Sequence, residues 1–285
     1  MSLPGRAIEV NGIRMHVHDQ GSGPPVLLLH GFPDSSSLWR HQVPALVAAG
    51  HRVIAPDLRG FGRSDRPAEV DAYAIPTLIG DAAGLLDALG LLDSLGVARA
   101  HVVCHDWGAA LGWGLAMFAP ERVDRFVAFS VGHFGSFFDA GLEQREKSWY
   151  MLYFQYEGIA EEALRADDWK LFRDWTRNHS EVPHWIADLS RPGALTAALN
   201  WYRANVNPAR PGLAGMEFPP VKAPTLGVWS SGDAYLTEPQ MTASKKFVTG
   251  DWRYERIEGA SHWLMLDQPE RVTKLLGEWL GTNSI

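Results

Sequence analysis

Asp106 stands in the segment Cys104-His105-Asp106-Trp107-Gly108, between the apolar run 101–104 (HVVC) and the helix-like Ala109-Ala110-Leu111-Gly112. Strand, sharp turn and helix in that order make a nucleophile elbow, which lifts one side chain above a sheet and requires small neighbours. The central residue here is Asp. An aspartate, with an ordinary pKa of about 3.9, is already an anion at neutral pH and attacks without help from a base. A saturated carbon is the electrophile that suits it, and the product is an alkyl ester of Asp106 whose hydrolysis needs an activated water. His262, in Gly259-Ala260-Ser261-His262-Trp263, is the only His in the last third of the chain. An imidazole, with an ordinary pKa of about 6.5, suits that activation. Asp233, in Ser231-Gly232-Asp233 after the run 225–230 (TLGVWS), completes the set by accepting the other ring proton and holding the tautomer. No Gly-x-Ser-x-Gly occurs in the chain, which argues against a serine esterase or lipase.

Each of these residues follows a strand candidate, and the ends of strands are where doubly wound sheets bind their ligands. The runs 26–29 (VLLL), 52–55 (RVIA), 101–104 and 225–230 read as strands buried on both faces, and 14–19 (RMHVHD) as a half-exposed one. Segments 123–131 and 253–257 are further strand candidates. Helical spacing marks 38–49, 78–89 and 269–280, with Gly50 and Gly90 placed to end the first two and Pro269 to open the third. The pattern predicts a mainly parallel sheet with helices on both faces. From about 133 to 219 there is no buried-strand run, only aromatic, Leu and charged residues at helical spacing, so a helical insertion is expected there. Five of the twelve Trp residues, Trp149, Trp169, Trp175, Trp185 and Trp201, fall in this stretch, either lining a pocket or filling a small core. Gly135 and Gly212 to Gly215 read as ordinary loop glycines near its two ends.

The chain has 285 residues, 46% of them hydrophobic and 21% charged, a globular balance that leaves no apolar run long enough to span a membrane. Its net charge of -7 and its lack of a basic block make nucleic acid an unsuitable partner. The start, MSLPGRAIEV, lacks the features of a secretory signal, so a cytoplasmic location is expected. One cysteine, Cys104, excludes an internal disulfide. No spacing of His and Cys completes a metal site, and neither metal nor cofactor is expected.

The order nucleophile, acid, His is that of α/β-hydrolases, and the chain resembles the epoxide hydrolase family over nearly its whole length. His30-Gly31-Phe32-Pro33 resembles the family's His-Gly-x-Pro loop, and 33–46 (PDSSSLWRHQVPAL) and 57–67 (DLRGFGRSDRP) are also similar to family segments. The resemblance implies an α/β-hydrolase fold: a mostly parallel eight-stranded sheet flanked by helices, with a helical cap inserted after the sixth strand. The core would be 1–133 and 218–285, and the cap 134–217. It also implies that the backbone N–H groups of Phe32 and Trp107 form the oxyanion hole for Asp106, with the side chains of Phe32, Trp107 and Trp263 around the substrate. The family usually has Gly where this chain has Cys104, which is expected to act as a small buried residue, and His105 is expected to be structural.

Haloalkane dehalogenases share the fold and the Asp nucleophile, so the leaving group must separate the two readings. Opening an epoxide makes an alkoxide, which needs a proton donor, whereas halide needs only N–H groups around it. Leu152-Tyr153-Phe154-Gln155 and Asn200-Trp201-Tyr202-Arg203 resemble the two cap segments that carry the family's ring-opening tyrosines, which implies that Tyr153 and Tyr202 donate to the epoxide oxygen. A phenol, with an ordinary pKa of about 10, keeps its proton at neutral pH. Phe32 also stands where many dehalogenases place a halide-binding Asn. Fluoroacetate-type dehalogenases carry Arg after the nucleophile, where this chain has Trp107. A non-catalytic small-molecule-binding relative would show a broken triad or missing tyrosines. The expected substrates are water and a small apolar or aryl epoxide.

Overall fold

A computed structural model of the chain describes residues 3–90, 99–209 and 217–281. Eight strands form one sheet: β1 (Arg6–Val10), β2 (Ile13–Gln20), β3 (Pro25–Leu29), β4 (Arg52–Pro56), β5 (Ala100–His105), β6 (Val123–Phe129), β7 (Thr225–Ser230) and β8 (Trp252–Ile257). Their order across the sheet is β1-β2-β4-β3-β5-β6-β7-β8, with β2 antiparallel to both neighbours and the remaining pairs parallel. Residues 26–29, 53–56 and 102–105 are buried throughout, as continuous apolar runs of a covered parallel sheet must be. β1 was not among the strands expected from the sequence. Its residues are mostly exposed and lack clean alternation, yet Asn11-Gly12, both at positive φ, make the two-residue turn that pairs it with β2.

The order of strands sets the faces. From β3 the chain moves one way to β4, then crosses back past β3 to β5 and on to β6, and right-handed crossovers put α1 (Gln42–Ala48) on one face with α2 (Ile75–Ala88) and α3 (Trp107–Phe118) on the other. The reversal falls between β3 and β5. This is the switch point at which the ends of neighbouring strands open a crevice, and it brings Phe32, just after β3, beside Asp106, just after β5.

Between β6 and β7 lie α4 (Phe134–Phe138), α5 (Gly141–Lys147), α6 (Trp149–Tyr153), α7 (Ile159–Trp175), α8 (Val182–Leu189) and α9 (Ala194–Asn205). α7 is broken at Ala166, after which Asp167, Asp168 and Trp169 all take left-handed φ, and Arg173 returns to hold the Asp168 carbonyl and carboxylate. These helices dock on the core through polar contacts at the ends of apolar faces. The Trp185 indole donates to Asp34 Oδ1 at 2.9 Å, the Trp201 indole to the Arg59 carbonyl at 3.0 Å, and Arg40 pairs with Glu181 at 2.6 Å. His133, at the entry, is buried and stacked on Phe247, so Gly135 follows a fixed residue. Gly212 to Gly215 lie outside the described residues. The chain closes with α10 (Glu238–Thr242), α11 (Leu264–Asp267) and α12 (Pro269–Leu280), the last packed on α1. No helix among the described residues is long and apolar enough to cross a membrane.

Candidate active site

β5 ends at His105 and α3 begins at Trp107, so Asp106 alone makes the turn, with φ 52° and ψ -123°. A left-handed φ at a residue bearing a Cβ costs about 1–3 kcal/mol and persists only where neighbours impose it. Glycines make the required room. A Cβ at Gly31 would collide with the Asp106 carboxylate, one at Gly108 with the carbonyls of Leu29 and His30, and one at Gly112 with the Cys104 sulfur and the Phe126 ring. Cys104 is fully buried, and its sulfur fills the space that Gly112 leaves, so the extra bulk at the elbow is taken up one helical turn beyond it.

Asp106 Oδ1 accepts the Phe32 backbone N–H at 2.8 Å, and the Trp107 backbone N–H also favours the carboxylate form. On its other side, Asp106 Oδ2 lies 3.6 Å from His262 Nε2, an ion-pair distance too long for a direct hydrogen bond. His262 Nδ1 is 2.8 Å from Asp233 Oδ2, and Asp233 Oδ1 accepts the backbone N–H groups of Tyr235 and Leu236. The His262 carbonyl accepts from His105 Nε2 at 2.9 Å. Burial, then the neighbouring His262, brings His105 down to about 3, so its ring stays neutral and serves as a prop. All three members of the set are buried. Burial disfavours the charged form of His262, but the charges of Asp233 and Asp106 outweigh it and push its pKa up to about 10. Burial likewise opposes ionisation of both carboxyls, and the His262 charge holds each below its ordinary range.

A cavity of about 60 Å³ opens over Asp106. Trp107 borders it from the core, Tyr150, Met151 and Tyr202 from the helical insertion, and Phe134, Phe137 and Phe138 along one side. The Tyr150 and Tyr202 rings are 5.9 Å apart, and Tyr202 sits edge-on to Trp107 at 5.0 Å, with the Trp107 side chain hydrogen-bonded to its hydroxyl. Burial first, then the Asp106 charge, raises both phenols well above their ordinary range, so both carry their protons at neutral pH.

Tyr153 is not at the cavity. It is half-buried, with its ring 6.1 Å from that of the exposed Trp149. On α6, residues four apart share a face: Tyr150 and Phe154 point inward together, and Trp149 and Tyr153 share the next face outward. Both pairs are four residues apart, so the spacing in the sequence does not say which of them faces inward. The two matched segments are tied to each other by their flanking residues. Gln155 donates to the carbonyls of Met151 and Tyr202, while Arg203 donates to the Phe154 carbonyl and forms a two-bonded pair with Glu161 at 2.8 and 2.9 Å.

Among the side chains expected around the substrate, only Trp107 borders the cavity. The Phe32 ring packs under it, 5.7 Å from Tyr202 and 5.6 Å from Trp175. Trp263 lies behind His262, 5.3 Å from it and 4.5 Å from Trp185. The five Trp residues of the insertion do not border the cavity either: Trp185 and Trp201 are fully buried, Trp169 nearly so, and Trp149 faces out.

A family model described as alpha/beta hydrolase fold matches residues 24–269. Epoxide hydrolase A of Mycobacterium tuberculosis is 32% identical, with 96% of each chain covered, and epoxide hydrolase 3 of Xenopus tropicalis is 34% identical over 95% of this chain and 75% of its own. Among solved structures, the epoxide hydrolase of Bacillus megaterium in complex with an inhibitor superposes with a TM-score of 0.85 at 26% identity, covering 97% of this chain and all of that one. One of the epoxide hydrolases from metagenomes of hot environments gives 0.86 at 29% identity, covering 98% and 99%. By the matched family model and by relatives of 30% identity or more over nearly its whole length, the chain belongs to the epoxide hydrolase family of the α/β-hydrolase fold.

Proposed function

We propose that the protein converts an epoxide to a vicinal diol through an ester on Asp106. The observation that carries this reading is the pair of buried phenols, Tyr150 and Tyr202, bordering the same small cavity as the Asp106 carboxylate. Phenols that keep their protons beside an anion suit a leaving group that must be protonated as it departs. The names of the relatives support the same substrate class. In this reading 134–217 form a cap over a core of 1–133 and 218–285. The apolar, aromatic wall of the cavity favours a small apolar or aryl epoxide.

Asp106 Oδ2 attacks a ring carbon, the carbon–oxygen bond breaks, and a tyrosine proton passes to the alkoxide. Oδ1, already held by the Phe32 N–H, becomes the ester carbonyl oxygen. Ester formation removes the negative charge 3.6 Å from His262, one of the two that hold its pKa up, so the ring releases its proton more readily and becomes the base when a base is needed. Water then attacks the ester carbon and gives its proton to His262 Nε2, while the backbone N–H groups of Phe32 and Trp107 stabilise the oxyanion on Oδ1. Collapse expels the diol, whose oxygen takes that proton back, and the Asp106 carboxyl then gives the water's second proton to His262, which restores the carboxylate beside a protonated ring, while the tyrosinate recovers its own proton from solvent.

Purified protein given styrene oxide and 1,2-dibromoethane in parallel should yield diol and no bromide. Asp106→Ala should lower the rate by about 10⁴-fold or more. His262→Gln should retain alkylation and accumulate a substrate-sized adduct visible by intact-protein mass spectrometry. Bromide without diol would replace this reading with haloalkane dehalogenation.

A further inference from the structure

We propose that Asp267, held in place by His179 from the helical insertion, is a positioning residue for the base His262; the inference rests on the two-step reading above. Asp267 ends α11 on the core, and its Oδ2 accepts both the backbone N–H of Ser261 at 2.7 Å and the Ser261 hydroxyl at 2.5 Å. The Ser261 hydroxyl oxygen in turn accepts the Trp263 N–H at 3.2 Å. The residues on both sides of His262 therefore hang from one carboxylate. The opposite side of the same loop is tethered by Ser230, which donates to the Ser261 carbonyl, and by His105, which donates to the His262 carbonyl.

The other carboxylate oxygen is held from outside the core. His179 Nε2 lies 3.0 Å from Asp267 Oδ1, and His179 Nδ1 accepts the Glu181 N–H at 3.2 Å, so the donating hydrogen sits on Nε2. The imidazole is 8% exposed and stacked on Trp185 at 5.1 Å, with Trp263 at the same distance on another side. Burial opposes ionisation of Asp267, but the bonds from His179 and Ser261 outweigh it and keep the carboxylate charged, as two-sided acceptance requires. Neither Asp267 nor His179 borders the cavity. Their effect on chemistry passes through the placement of the His262 ring.

A displacement of about 1 Å in a reacting group costs on the order of a hundredfold. His262 takes a proton only in the water step, whereas ring opening depends on Asp106 and the tyrosines, so loss of the tether falls on one step. The test is single-turnover reaction with saturating styrene oxide, quenched for intact mass, on Asp267→Ala, His179→Phe and His179→Gln. Alkylation should stay within about twofold of wild type in all three. Ester hydrolysis should slow about tenfold or more in Asp267→Ala and His179→Phe, with the adduct standing, and should be kept by His179→Gln, whose amide still offers a donor. His179→Phe retains a ring against Trp185 and carries the test even if Asp267→Ala fails to fold. Proportional loss in both steps, or unchanged hydrolysis, would overturn the inference while leaving the ester mechanism intact. Failure of His262→Gln to form an adduct would overturn both.

Discussion

The two walls of the cavity hold their reactive groups by different means. On the core wall, charged groups are fixed by backbone N–H donors at strand ends: Phe32 on Asp106, and Tyr235 and Leu236 on Asp233. On the opposite wall, the groups proposed to donate the proton are neutral phenols set among rings, and what fixes them is a buried ion pair and one Gln behind the helices. The contrast is one of dielectric and proton placement. A carboxylate needs oriented dipoles to survive burial, whereas an apolar surrounding by itself keeps a phenol protonated.

Removing both hydroxyls tests the division most sharply. Tyr150→Phe with Tyr202→Phe should slow single-turnover alkylation by about 10²- to 10⁴-fold, whereas Tyr153→Phe should leave it within about twofold. A double variant with unchanged alkylation would remove the acid from that wall. Next in size is the ion pair. Arg203→Met leaves Glu161 charged and buried beside an apolar side chain, so chemical unfolding should show a loss of about 3–5 kcal/mol, with ring opening impaired more than ester hydrolysis because α9 carries Tyr202.

The smallest effect concerns a core acid without dipoles enough to hold its charge. Asp34 is buried with one oxygen unpartnered, and burial raises its pKa to about 8 despite the Trp185 bond. Between about pH 4 and about pH 8 the unfolded chain has lost this proton and the folded chain has kept it, so stability falls as pH rises through that window. Asp34→Asn keeps an acceptor for Trp185 and removes the slope. Its advantage in Tm over wild type should widen by a few degrees across the window and then level off.

The core wall was legible in the sequence because a buried parallel strand is a continuous apolar run, and Asp106 and Asp233 each follow one, while His262 follows the partly exposed edge strand β8 and was found by its place in the order nucleophile, acid, His. Phe32 and Trp107 came with the loop and elbow to which they belong. The insertion was legible as helical, and its matched segments as a pair, but not in the direction each ring faces. Tyr150 and Tyr153 are three residues apart on a helix of five, and only packing against Phe154 and Tyr202 selects the first. Trp263 could not be placed either, since a large ring after the base can turn toward the cavity or, as here, toward Trp185. The left-handed break after Ala166 has no Gly or Pro to announce it.

The single cysteine has a meaning beyond packing. Epoxides alkylate thiolates, so an enzyme that concentrates such electrophiles exposes its own sulfur to its substrate. Cys104 lies two residues from Asp106, yet its sulfur is buried against Gly112, and burial raises its pKa, which disfavours the reactive thiolate. If the ester mechanism proposed above holds, the molecule offers a reactive electrophile one carboxylate to alkylate reversibly and keeps its buried thiol out of reach.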